Sequence, residues 1–167
     1  FLNIGGGMPA DYDDAKIDLK GYAKNILNQI NKYYDEAMPE NIIAEPGRFI
    51  VASAGVLESE VILIKEKKDI KWLYLDVGRY SGLAETEGEA IKYKIKFSGK
   101  NNMKKIKYIL AGPSCDSHDV LYQKNLYKLP KNIKVGDRLR IFSAGSYIIS
   151  YQSDFNGIKK IKEIFLK

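Results

Sequence analysis

The chain has 167 residues, 45% of them apolar and 29% charged, with one cysteine, one histidine and a formal net charge of +6. These fractions exclude a disordered tail or a fibrous chain, one thiol excludes an internal disulfide framework, and no run reaches the roughly 18 consecutive apolar residues of a membrane span. The length suits one domain or two small ones; a complete (β/α)₈ barrel, at about 250 residues, does not fit.

The positive charge raises nucleic-acid binding, because counterion release rewards clustered cations. The pattern argues against it. Arg48, Arg79, Arg138 and Arg140 are the only arginines, and the lysines are scattered. At Lys92-Tyr93-Lys94-Ile95-Lys96-Phe97 they alternate with apolar residues, as on a strand with one wet face. Neither a nucleic-acid nor a membrane partner is expected.

Phe1-Leu2-Asn3-Ile4 reads as the end of a buried strand, so the chain is expected to be a fragment or processed piece. No secretory leader is legible in this opening, and a cytoplasmic location is expected. Gly5-Gly6-Gly7-Met8-Pro9 is a loop that cannot be helical. Asp11, Asp13 and Asp14 are candidate caps for a helix. From Ile17 to Tyr34 apolar residues recur every three or four positions, which predicts an amphipathic helix that Pro39 stops. Asn41-Ile42-Ile43-Ala44-Glu45 then reads as a short buried strand ending in an acid. The unit fits part of a parallel α/β layer, where ligands sit beyond the carboxyl ends of strands.

Past Arg48 the texture changes. Phe49 to Ile64 is rich in Val, Ile, Leu and Ala, and short strands are expected at 72–76, 92–98, 106–110 and 138–142. Turn signals at 67–69, 98–102 and 135–137 divide them. One or two helical turns are predicted at 144–153 and a last strand at 158–166. Regular short strands argue for an all-β sandwich or barrel, with a boundary near residue 50.

Several clusters could carry chemistry. Gly5-Gly6-Gly7 allows backbone N–H groups to approach an anion, although a sharp turn explains it equally. Glu45-Pro46-Gly47-Arg48 places a carboxylate and a guanidinium together, suited to a protonated ring nitrogen and a phosphate, or else to a surface ion pair. Gly112-Pro113-Ser114-Cys115-Asp116-Ser117-His118-Asp119 holds the only cysteine and histidine. Zinc lacks further soft ligands there, and three-residue spacing in a loop sets no nucleophile–base geometry. A thiol donating a proton beside acids that bind a cation is one reading; a polar loop with a buried thiol is the other. Tyr147, after Ala144-Gly145-Ser146, presents its phenol to a phosphate or fills a core edge. Phe155-Asn156-Gly157 completes the set.

In this order, the GGG-x-P loop, EPGR, GPxCDS-x-D, AGxY and FNG resemble the ornithine/diaminopimelate/arginine decarboxylases, enzymes of the alanine-racemase-like fold that use pyridoxal 5′-phosphate. The resemblance covers almost the whole chain. It implies a fold of α/β plus all-β type: the last segments of a (β/α)₈ barrel over residues 1–50, then a C-terminal β-sandwich or barrel over 51–167. It implies a homodimer with shared active sites. By position, Gly5, Gly6, Gly7, Gly47, Arg48 and Tyr147 match the phosphate contacts, and Glu45 the acid that keeps the pyridine nitrogen protonated. Cys115 matches the thiol that protonates the α-carbon across the dimer interface. Asp116 matches the acid that holds a distal amine, which favours a diamino acid substrate, ornithine first and lysine second, with diaminopimelate as the alternative. Ornithine would yield putrescine and CO₂ for polyamine synthesis. The family's second distal-amine acid falls at Val77, beside Asp76. Its Schiff-base lysine and ring-stacking histidine belong to earlier barrel strands, so this chain alone is expected to be inactive. A non-catalytic regulatory relative is the rival, against which the joint presence of Cys115, Asp116, Glu45 and Arg48 argues.

Overall fold

The computed structural model describes residues 1–12, 17–99 and 103–166. The predicted caps Asp13 and Asp14 and the turn residues 100–102 lie outside them.

Strand β1 (Leu2–Asn3) pairs in parallel with β2 (Ile42–Ile43), Leu2 opposite Ile42, and helix α1 (Leu19–Tyr34) makes the crossover. The cap of α1 is Asp18, not Asp11: its Oδ1 accepts from the Gly21 N–H at 3.0 Å, a reach only a residue beside the first turn has. Ile30 is buried, while Leu19, Leu27, Tyr33 and Tyr34 remain exposed, as do Ile42 and Ile43.

Residues 49–54, expected to be extended, are helical. Pro46, with its restricted backbone, precedes α2 (Gly47–Val51), and a 3₁₀ turn follows over Ala52–Ala54. The Gly145 N–H closes this corner by donating to the Ala52 carbonyl at 2.9 Å.

The remaining strands are β3 (Val56–Lys67), β4 (Ile70–Leu75), β5 (Ile95–Phe97), β6 (Lys105–Ala111), β7 (Val120–Pro130) and β8 (Arg138–Phe142). Lys68 and Asp69, both with positive φ, make the tight turn between β3 and β4. The strands form one six-stranded sheet in the order β5-β8-β3-β4-β6-β7. It is mixed: β4 and β6 run parallel, and the other neighbours antiparallel. Of the sandwich or barrel expected, the strands form a single curled sheet rather than two stacked ones.

Strand β3 explains the curl. Its first half, Val56–Glu60, pairs with β8, and its second half, from Val61, pairs with β4, with an irregularity between Val61 and Leu63. The strand hands over from one partner to the next and bends, so the edges β5 and β7 come back into contact. Tyrosine hydroxyls bridge that seam. Tyr122 Oη accepts from the Tyr93 N–H and donates to the Ile91 carbonyl, both at 2.9 Å, and Tyr127 Oη donates to the Tyr93 carbonyl. Burial pushes the Tyr127 phenol up to about 12. Inside lie Val61, Leu73, Leu75, Leu110, Leu121, Leu139 and Ile141, all fully buried.

Strand β7 is absent from the pattern reading because a bulge breaks its alternation. Leu121 and Tyr122 are both buried, and the ladder to β6 slips between Tyr122 and Tyr127. At the bulge the N–H groups of Gln123, Lys124 and Asn125 donate to the Glu89 carboxylate at 2.9, 2.6 and 2.9 Å, joined by Asn125 Nδ2 at 2.7 Å. The expected strand at 158–166 does not form: its isoleucines at 158, 161 and 164 recur every third residue, which suits no ladder, and Ile164, Phe165 and Leu166 are exposed. At 144–153 one helical turn forms, closed by the Tyr151 N–H on the Tyr147 carbonyl at 3.0 Å.

Burial alone would raise the Glu89 carboxyl; the donated hydrogen bonds outweigh it and hold it below the ordinary value of 4.5. The stability this supplies is present above the unfolded carboxyl's pKa and is lost as pH falls through the lowered one. Glu89→Gln is expected to destabilise by roughly 1–3 kcal/mol in thermal unfolding at neutral pH. The gap to the parent should close in acid.

Candidate active site

Two groups of side chains stand out, and both sit where strands end. The first lies beyond β1 and β2. Gly5 and Gly7 have φ of 66° and 78°, and nothing lies within 4 Å of a side chain at either. At Gly6 a Cβ would stand 2.7 Å from the Glu45 carbonyl, so the loop passes β2 at a distance only glycine permits. Asn3 orders both partners: its Oδ1 accepts from the Gly5 N–H at 2.8 Å, and its Nδ2 donates to Glu45 Oε1 at 2.7 Å. The three glycines do not open a helix directly, since α1 begins only at Leu19.

The Glu45–Arg48 ion pair does not form. Arg48 instead makes a two-pronged contact with Glu85, with Nη1 to Oε2 at 2.8 Å and Nη2 to Oε1 shorter still. Its Nη1 also donates to Tyr12 Oη at 2.7 Å, and its guanidinium lies 4.6 Å from the Tyr147 ring centre. The Glu85 bond above all holds the Arg48 guanidinium even further from deprotonation than usual. Beneath the cluster Tyr93 is 1% exposed, and among the described residues its hydroxyl has no hydrogen-bond partner. Tyr12 packs edge-on against its ring. Glu85 and Tyr12 are absent from the motif reading. Glu85 sits in an acid-rich Glu85-Thr86-Glu87 run, but no spacing links it to Arg48, and only the curl of the sheet brings them together.

The AGxY motif has a steric basis. A Cβ on Gly145 would stand 1.9 Å from the Val51 carbonyl, and one on Gly55 would stand 2.5 Å from Gly145. The backbones of α2 and of the segment leading to Tyr147 therefore touch, which sets Tyr147 over Arg48.

The second group is the loop between β6 and β7. Cys115 is exposed, with φ of 59°. The Asp116 carboxylate accepts from the His118 N–H at 2.7 Å and lies 3.3 Å from His118 Nδ1. These contacts, the backbone bond foremost and the facing Tyr80 phenol last, hold the Asp116 carboxyl below its usual range, so it is anionic at neutral pH. His118 thus serves Asp116 rather than the thiol. Cys115 and Asp116 open onto a cleft of about 660 Å³ walled by Ile62, Leu63, Trp72 and Tyr74, with Lys65 on its rim. Val77 is buried in the core, and Asp76 is spent on the sheet, accepting from Ser59 Oγ at 2.8 Å and the Glu60 N–H at 2.9 Å. Neither supplies a second acid to this cleft. Among the described residues, no hydrogen bond, ion pair or ring contact joins the Arg48 group to the Cys115 group, and no cluster of three or more His, Cys, Asp or Glu is placed to hold a metal. Among the described residues, no helix is long and apolar enough to cross a membrane.

Residues 13–145, which span the sheet and the Cys115 loop, match the pyridoxal-dependent decarboxylase family in its C-terminal sheet domain. The chain belongs to that family. It is 36% identical over 157 residues to the diaminopimelate decarboxylase of Methanocaldococcus jannaschii, covering 93% of this chain and 35% of that protein. With the lysine/ornithine decarboxylase of Selenomonas ruminantium it shares 33% identity over 158 residues, 93% of this chain and 38% of the relative. The solved structure of SrLDC in complex with PLP and cadaverine superposes with a TM-score of 0.75 at 31% identity, covering 95% of this chain and 40% of that one. The chain therefore spans well under half the length of these relatives.

The residues present fit the pyridoxal group that defines the family. At Gly5 and Gly7 the loop has open space, and Arg48, Tyr12 and Tyr147 offer cation and hydroxyl donors. Glu45 stands at the end of β2 with one oxygen already oriented by Asn3.

Gly145→Ala is expected to force α2 and the 144–147 segment apart. It should lower stability by about 2 kcal/mol or more in thermal unfolding.

Proposed function

We propose that the chain is the C-terminal portion of a pyridoxal-phosphate-dependent decarboxylase of diamino acids, with residues 1–50 as closing segments of a barrel and the sheet as a separate domain. The exposed apolar residues of α1 and β2 support the barrel assignment, since such a face is normally covered. Bound pyridoxal 5′-phosphate supplies the electron sink for the pair left when CO₂ departs. The rest falls to protein groups. The loop at Gly5, Gly6 and Gly7, through the N–H groups of Gly6 and Gly7, holds the phosphate with Gly47, Arg48 and Tyr147. Glu45 keeps a proton on the ring nitrogen. Cys115 delivers a proton to the substrate's α-carbon, and Asp116 binds the distal ammonium.

The observation that carries the reading is the pairing of an exposed thiol with an anionic, half-buried Asp116 on one apolar-walled cleft. An aspartate there favours a substrate ending in a bare ammonium, ornithine or lysine. Lys65 on the same cleft favours a second reading, because a lysine there can meet the distal carboxylate of diaminopimelate. The separation of the Arg48 and Cys115 groups supports a homodimer in which each loop serves the partner's cofactor.

The test is a substrate panel of ornithine, lysine, arginine and diaminopimelate on the complete protein. Asp116→Ala should cut kcat/KM for ornithine and lysine by about 30-fold or more, with cofactor absorbance unchanged. Equal loss of cofactor and turnover would sink the assignment, and turnover of diaminopimelate alone would select the second reading. Mixing Cys115→Ser subunits with Arg48→Ala subunits, each poorly active, should restore activity above either alone. Failure to do so would exclude a shared site.

A further inference from the structure

The loop that carries Cys115 is tied down from both sides of its backbone. On one side, Asp119 is 2% exposed, and its Oδ2 accepts from the Ser114 N–H at 3.1 Å and from Ser114 Oγ at 2.6 Å. Its Oδ1 accepts from the Arg79 N–H at 2.7 Å. The carboxylate occupies the space that side chains would take at Gly78 and Gly112, where a Cβ would lie 2.3 Å from it. On the other side, Asn156 Nδ2 donates at 2.9 Å to the Ser114 carbonyl, part of the peptide that leads into Cys115.

Each tie is itself anchored. Phe155 stacks on Tyr80 with ring centres 4.1 Å apart, and the Ser153 N–H and Oγ donate to the Tyr80 carbonyl at 2.9 and 3.2 Å. The turns around Gly78 and Asn156 therefore move with the loop. Between them Cys115 holds a φ of 59°, a left-handed backbone that is unfavourable for a non-glycine residue and persists only where neighbours enforce it.

We propose that Asp119 and Asn156 are positioning residues that hold Cys115 in this conformation and so aim its thiol into the cleft beside Asp116. The inference rests on Cys115 being the proton donor. In the normal route CO₂ leaves, the thiol proton adds to the α-carbon, and solvent reprotonates the thiolate. A bound cofactor would offer a competing place for that proton when the thiol is misaimed. Capture there, followed by hydrolysis with one water, would release an aldehyde and pyridoxamine 5′-phosphate in place of the amine, the substrate's amine carbon being oxidised as the cofactor's aldehyde is reduced. The partition between amine and pyridoxamine 5′-phosphate reads the thiol's aim rather than overall stability.

The experiment uses the complete holoenzyme with its preferred diamino acid. It compares the parent with Cys115→Ser, Asp119→Asn and Asn156→Gly. Glycine tolerates the φ of 54° at position 156, so that variant removes only the side-chain bond. Asn156→Gly and Asp119→Asn should each raise the pyridoxamine 5′-phosphate share by about tenfold, in the direction of Cys115→Ser, with KM nearly unchanged. If Asp119→Asn does not fold, Asn156→Gly decides alone. A parental share in Asn156→Gly beside a raised share in Cys115→Ser would overturn the inference and leave the proton-donor reading standing. An unchanged share in Cys115→Ser would overturn both.

Discussion

A single sheet has no second layer to cover its apolar face, and that constraint organises the molecule. The sheet covers itself by curling, with β3 passing from β8 to β4 across the bend near Val61. The seam between β5 and β7 is joined by the hydroxyls of Tyr122 and Tyr127 rather than by a ladder. Everything at the candidate site follows from that closure. It carries Glu85 under Arg48, and it sets the turn at Gly78 against the loop at Cys115. A flat sheet with the same strand order would leave those pairs apart.

Much of this was legible in the residues. The three- and four-residue spacing of α1, the strands expected at 72–76 and 138–142, and the glycines at 5–7 all have structural counterparts, the first strand running over Ile70–Leu75. Local patterns failed where a distant group decided the outcome. Strand β7 is hidden because its bulge is held by Glu89, more than thirty residues earlier. Glu85 is invisible as the partner of Arg48 for the same reason. Asp119 looks like one acid among several in a polar loop, and only its burial between two glycines sets it apart. Conversely, the isoleucines at 158–164 look strand-like by composition, yet they find no neighbouring strand.

The two loops divide the chemistry between them. The group around Arg48 is rich in donors suited to an anion, whereas the group at Asp116 is built to meet a cation. Each group is organised by contacts within this chain, and among the described residues no hydrogen bond, ion pair or ring contact joins them. In the proposed homodimer each group would complete a site with the complement from the other copy.

The clamp on Arg48 has one more consequence. With Glu85 bound through both oxygens, the guanidinium and carboxylate form a locally neutral pair, and only the guanidinium N–H groups not given to Glu85 or Tyr12 remain to meet an anion. The phosphate recognition proposed there would lean on fixed hydrogen-bond directions, from the guanidinium edge, the tyrosine hydroxyls and the glycine amides, more than on net charge. Attraction of that kind is short-ranged and little screened by salt. Affinity at this corner is thus a matter of shape.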